Sequence, residues 1–151
     1  MFRRQTLIAA AGTIALVMVA PFAAAQQAAT PSAPKWQPVV KTDTQEAFVN
    51  RQSIAAVDGT FEAKVKQDFT QPQPSAKKDK TFLSSRTTFR VDCTQRRLAV
   101  KEIRAYAGAD LQGDQVQKMT SSDKYLQWMD APADTVYGKI LDYVCLTGPA
   151  G

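Results

Sequence analysis

The chain has 151 residues, with 19 basic residues against 14 acidic ones and no histidine. That length gives one domain with a modest core, and the missing histidine removes Ser-His-Asp and Cys-His nucleophilic machinery. Residues 1–25 read as a signal peptide: Arg3 and Arg4 form a positive start, residues 7–20 an apolar run, and Ala23 and Ala25 a small-residue cleavage site. The alternative, an uncleaved membrane anchor, fits less well, because the run falls short of the about 20 residues a span needs. No cysteine lies near the cleavage site to accept a lipid. Cleavage near Ala25 removes two of the 19 basic residues, leaving a net charge of +3. That is too small to argue for a nucleic-acid partner.

Residues 26–35, rich in Gln, Ala, Pro and Ser, read as a flexible lead to a single domain over 36–148, with Trp36 its first core or docking residue. "AFVNRQSIAAVDGTFEAKVKQDFT" reads as strand, short turn or helical turn, and strand, with Asp58-Gly59 a strong turn signal. Phe61, Ala63, Val65 and Phe69 alternate with Glu62, Lys64, Lys66 and Asp68, the period of two that marks one buried and one solvated face. "TQPQPSAKKDK" reads as a loop whose charges are solvated. Alternation then returns, with Leu83, Phe89, Val91 and Cys93 on one face and Arg86, Arg90 and Asp92 on the other. After a turn at "QRR", "LAVKEIRAYA" is a strand whose apolar phase slips between Val100 and Ile103, which suggests a bulge or an irregular edge. "GADLQGDQ" reads as a hairpin loop, since a calcium loop needs more oxygen ligands at closer spacing. Residues 116–120 give a last short strand.

The period then changes. In "DAPADTVYGKILDYVCLTG", Val136, Ile140 and Val144 form one stripe with Tyr137, Leu141 and Cys145 beside it, which is helical spacing. Asp130 is a candidate N-cap, Pro132 suits a first turn and Gly148-Pro149 a stop. These elements make an α+β fold: an antiparallel sheet of about five or six strands with a C-terminal helix packed on one face. The two cysteines, Cys93 and Cys145, allow one intramolecular pairing, and export favours a disulfide. A metal pair is the rival, but two cysteines without histidine make a poor zinc site, and no C-x-x-C is present for redox work. The bond joins the helix to the sheet.

The stretches "WQPV", "FRVDCTQRRLAV" and "YLQWMDAPADTVYGKILDYVC", in that order, resemble the surface-adhesin E family of Gram-negative bacteria. The residues that carry the likeness are Trp36, Asp92-Cys93, Arg96-Arg97, Trp128, Pro132 and Val144-Cys145. The resemblance implies an antiparallel sheet with a packed C-terminal helix, and a place in the cell envelope, periplasmic or surface-exposed. It also implies binding to a protein partner such as a host extracellular-matrix protein, and self-association into a homodimer. It carries over no binding residues.

The sequence therefore reads as an exported, non-enzymatic binding protein, with no cofactor, no metal and no membrane contact beyond the signal peptide. A periplasmic accessory module bound to another envelope protein is the alternative. A small carboxylate-dependent hydrolase is the remote one, drawing on Asp110, Asp114, Asp123 and Asp130. The expected binding face is the polar side of the sheet, with Lys64, Lys66, Arg86 and Arg90 as candidate residues. Residues 101–106 are expected at a sheet edge, where pairing with another chain would occur. Tyr125 and Trp128 read as a lid over the sheet, or else as exposed anchors for a partner.

Overall fold

The computed structural model describes residues 35–149, so the leader expected over 1–25 and nearly all of the lead over 26–35 lie outside the described residues. Seven strands precede one helix: β1 (Gln37–Lys41), β2 (Gln45–Val57), β3 (Thr60–Pro74), β4 (Thr81–Asp92), β5 (Arg97–Tyr106), β6 (Gln115–Thr120), β7 (Trp128–Asp130) and α1 (Val136–Thr147). The first six form an antiparallel meander in sequence order, and β7 joins the sheet beside β5. This is the expected α+β architecture, with the short β1 and β7 added at the margins.

Local chemistry explains the turns and breaks. The β2–β3 hairpin closes on Asp58 and Gly59, both at positive φ (47° and 74°), the two-residue turn whose twist matches the strands. Within β2 the register shifts at a bulge between Asn50 and Ala55. Its backbone is held by side chains: Ser53 Oγ donates to Asn50 O (2.7 Å) and accepts from Lys64 N–H (2.9 Å), and Asn50 Oδ1 accepts from Gln52 N–H (3.1 Å). Ile54 sits in that bulge and is buried in the core.

The phase slip in β5 is a bulge at Lys101. Phe89 pairs with Val100 and Thr88 with Glu102, so Lys101 is the extra residue. The segment is not an edge, however. β4 pairs along one side of β5, while the other side is shared by β6 over 102–106 and β7 over 97–99. The sheet edges are β1 on one side and β6 with β7 on the other.

One face of the sheet carries Ala47, Val49, Ala63, Val65, Phe89, Val91 and Leu98, all buried against Ile140, Leu141 and Val144 of α1. Burying each of the larger side chains stabilises the fold by about 1.5–3 kcal/mol. Tyr137 adds an edge-to-face contact on Phe89, with ring centroids 5.8 Å apart. The helix starts later than Asp130. Residues 128–130 pair with β5 and Ala131 N–H donates to Arg96 O (3.0 Å), so the chain stays extended there. Thr135 is the N-cap, its Oγ1 accepting from Gly138 N–H (3.0 Å) and donating to Pro132 O (2.7 Å). Gly138 lets the first turn lie on the preceding backbone: a Cβ there would fall 1.9 Å from Pro132 O. Gly148 ends the helix at φ 63°, its N–H donating to Val144 O.

Cys93 and Cys145 are disulfide-bonded, with Cα atoms 5.8 Å apart and a sequence separation of 52. The bond ties the last turn of α1 to the end of β4. Replacing Cys93 with Ala is expected to lower unfolding free energy by about 2–5 kcal/mol, measured by denaturant titration. Two free thiols in the native protein, detected by non-reducing mass spectrometry, would contradict the pairing. Gly138→Ala is expected to destabilise by about 1–3 kcal/mol, because its methyl meets main chain that cannot swing aside. An unchanged denaturation midpoint would contradict that close approach.

Candidate functional site

The face opposite α1 is polar, and the strand register places Lys64, Lys66, Arg86 and Arg90 on it together. In one row across the strands, Phe48, Lys66, Arg86, Arg104 and Lys118 stand opposite one another from β2 to β6. The next row carries Asn50, Lys64, Thr88, Glu102 and Thr120. Neighbouring strands lie about 4.8 Å apart, and like charges directly opposite repel. Four cations in line therefore need compensation.

At one end the compensation is complete. Lys66 Nζ meets Asp68 Oδ2 at 3.2 Å and bonds Asp110 Oδ1, and it lies 4.2 Å from the Phe48 ring centroid. Burial pushes the Lys66 ammonium down, but the Asp110 and Asp68 hydrogen bonds outweigh it and hold the group above its ordinary 10.5. Asp110 belongs to the hairpin loop at 107–114, where Asp110 and Leu111 both adopt positive φ. Ser84 and Asp68 hold that loop over the face: Ser84 Oγ donates to Gly108 O (2.5 Å) and accepts from Leu111 N–H (2.9 Å), and Asp68 Oδ1 accepts from Asp110 N–H (2.6 Å).

The other end has a second cluster. Glu62 Oε1 accepts from Arg90 Nη2 and Lys101 Nζ, both at 2.8 Å, and Asp123 Oδ1 accepts from the same two atoms at 2.9 Å. Asp123 comes from a single 3-10 turn, Asp123–Tyr125, that follows β6. Burial pushes the Glu62 carboxyl up, yet Lys101 and Arg90 hold it below its ordinary 4.5. Donating hydrogen bonds to Asp123 and Glu62 holds the Lys101 ammonium up. The hydrogen bond from Lys101 holds Asp123 down.

The four candidate residues therefore split in role. Side-chain exposure is 8% for Lys66 and 7% for Arg90, because the two loops cover them. The expectation of a uniformly solvated polar face is corrected here: these two cations are parts of the frame. Lys64 is exposed and Arg86 half-buried between the loops. Arg104 forks onto Glu102 (2.8 and 3.2 Å), and Arg86 and Lys118, which make no ion-pair contact of their own among the described residues, help to hold that carboxyl down. Sequence reasoning missed Arg104 and Lys118, although the phase slip in β5 was the available signal. Counting one extra residue at Lys101 puts Glu102 and Arg104 on the polar side.

Trp128 lies opposite Ala99 on this polar side, with the Arg97 guanidinium 4.6 Å from its ring centroid, and not over the apolar core. Tyr125 is 65% exposed. Asp110 and Asp123 are ion-paired at opposite ends of the face, Asp130 is in β7, and Asp114 O closes the 107–114 hairpin by accepting from Ala107 N–H (3.0 Å). Among the described residues there is no pocket and no gathering of three metal-ligating side chains.

The sequence profile of the family described as Surface-adhesin protein E matches residues 36–146. Solved structures with a similar fold include Haemophilus influenzae protein E, at 12% identity and TM-score 0.53, over 76% of this chain and 86% of that one. Protein E from non-typeable Haemophilus influenzae gives 12% identity and TM-score 0.53, over 80% of this chain and 85% of that one. At such identity the likeness is one of fold. No curated protein sequence is a significant match.

The Glu62 cluster makes stability depend on acid. A carboxyl whose folded pKa lies below its unfolded value contributes its full share above the unfolded value, here near 4.5, and loses it as pH falls through the folded one. Glu62→Gln is expected to cost about 1–3 kcal/mol at neutral pH, as for a hydrogen bond to a charged group. It should also flatten the decline in stability below pH 4.5, read by denaturant titrations across the acid range. Parallel pH profiles for the variant and the parent would contradict this.

Proposed function

This chain belongs to the surface-adhesin protein E family, and from that premise we propose that it is an exported, non-enzymatic envelope protein that binds a protein partner at the bacterial surface. The contact surface in this reading is the polar face of the sheet between its two covering loops. The observation that carries it is the division of labour among the cations. Lys66 and Arg90 are consumed by internal ion pairs, while Lys64 and Arg86 on the same face make none, the Glu102 carboxylate near Arg86 being held by Arg104. A face built only to be solvated has no need of loops tied down on both sides of it. Host extracellular-matrix proteins are the partner class that the family's description as a surface adhesin supports. Pairing of two copies through the β1 edge or the β6–β7 edge is the form of self-association the topology allows.

A non-enzymatic role is supported by where the acidic residues lie. The carboxylates that a hydrolase would need opposite one another across a cleft are occupied as ion-pair partners or as turn and strand residues. The chain has no histidine to serve as a general base.

The test is a solid-phase panel of purified matrix proteins probed with the disulfide-intact protein. Saturable binding to at least one member is expected, weakened roughly tenfold by the charge reversals Lys64→Glu and Arg86→Glu together. Both positions lie outside the ion-paired clusters, so the melting temperature should stay close to that of the parent. Absence of binding across the panel, with capture only of periplasmic components, would move the protein to an accessory role inside the envelope. Binding indifferent to the two reversals would place the contact elsewhere.

A further inference from the structure

The two rows between the loops form a trough. The 107–114 loop stands over its Lys66 and Ser84 side, and the Asp123–Tyr125 turn stands over its Arg90 and Lys101 side. The trough runs across the strands. Its floor carries Lys64, Arg86, Arg104 and Lys118, with Glu102 as the one carboxylate among them.

We infer that this trough binds a linear sulfated polysaccharide, laid across the strands between the two loops. Three features select that chemistry. First, the cations without an ion pair of their own are spaced by the strands: Arg86 and Lys118 lie two strands apart, about 9.6 Å, with Arg104 between them. An acidic peptide in extended form repeats its like-facing side chains about every 6.6 Å, out of step with this row, and an extended peptide docks on a sheet edge by backbone pairing and not across a face. Second, Arg86 presents a planar guanidinium that makes no ion pair of its own, since the nearby Glu102 is held by Arg104, and it is suited to paired oxygens of a sulfate group. Third, the walls matter. A flat membrane would meet the 107–114 loop with its Asp110 and the turn with its Asp123 before reaching the floor, whereas a polymer chain fits between them.

This deepens the binding reading above, because it uses the same face. It is tested without any protein ligand, so its failure and the failure of that reading are distinguishable. The probe is a heparin oligosaccharide, titrated into the disulfide-intact protein at physiological salt. The trough variant is Arg86→Ser with Lys118→Ser, and the control is Lys77→Ser with Lys78→Ser in the exposed β3–β4 loop, which makes the same change in net charge. The trough variant is expected to bind at least roughly tenfold more weakly than the parent, and the loop control to bind as the parent does. If the trough variant fails to fold, Thr88→Glu, which sets a carboxylate on the same floor, replaces it with the same expectation. De-sulfated heparin, polyglutamate and anionic phospholipid vesicles are expected to compete poorly. Equal losses in the trough and loop variants would overturn the proposal in favour of diffuse charge attraction. Equal competition by polyglutamate would overturn it in favour of an acidic protein segment, and equal competition by vesicles in favour of a lipid surface. No measurable binding of heparin by the parent would overturn it outright.

Discussion

One extra residue in β5 organises much of the molecule. Without the bulge at Lys101, strict alternation would carry Leu98 and Val100 inward and then Glu102 and Arg104 after them. With it, Ile103 and Ala105 take the inward positions and the two charged residues face out. The same residue links three parts of the structure. Its ammonium bonds Glu62 of β3 and Asp123 of the 3-10 turn, and its carbonyl accepts from Ser121 N–H (2.8 Å). The chain leaving β6 is thereby turned back across the face, and it returns as β7 to pair with the first residues of β5. The outer edge of the sheet, the cover over Arg90 and the far wall of the trough all follow from that placement.

A sheet of this width with one helix faces a second constraint. α1 has 12 residues, about 18 Å of length, and roofs one face only. The other face must satisfy its polar groups without a covering layer. It does so by pairing charge at both ends and leaving the middle wet. These pairs bear more on geometry than on net stability, since the burial of charged groups offsets much of their attraction. The disulfide acts on the opposite face by joining the helix to β4. Helix, sheet and loops thus hold the open rows in a fixed shape, which is the property a binding surface needs.

The sequence was most informative where periodicity was strong. The alternation in β3 and β4 identified both faces correctly, and the 3.6-residue stripe identified α1. Two inward cysteines sufficed for the bond. The short β1 and β7 escaped because five and three residues carry too little periodicity to read. The start of α1 was misplaced because Asp130-Ala-Pro132 has the chemistry of a helix entry, while the pairing of residues 128–130 with β5 overrides it. In the site, Lys66 and Arg90 looked solvated because the loops that cover them bond through Asp110 and Asp123, 44 and 33 residues away. No local pattern records such contacts. The phase slip at Val100 to Ile103 was visible as an irregularity, but whether it marked an edge or an interior bulge depended on β6 and β7, which pair from outside the local window.

The central claim is that the extra residue at Lys101 sets the sidedness of β5 and the construction of the polar face. Deleting Lys101 and following backbone amide exchange tests it most directly. The account predicts that the two halves of β5 cannot both keep their partners. Amides of either 97–99 with β7 or 102–106 with β6 should lose protection, while Ile140, Leu141 and Val144 in the disulfide-tethered helix stay protected. Unchanged protection in both halves would show that the face is built without the bulge and would contradict the account.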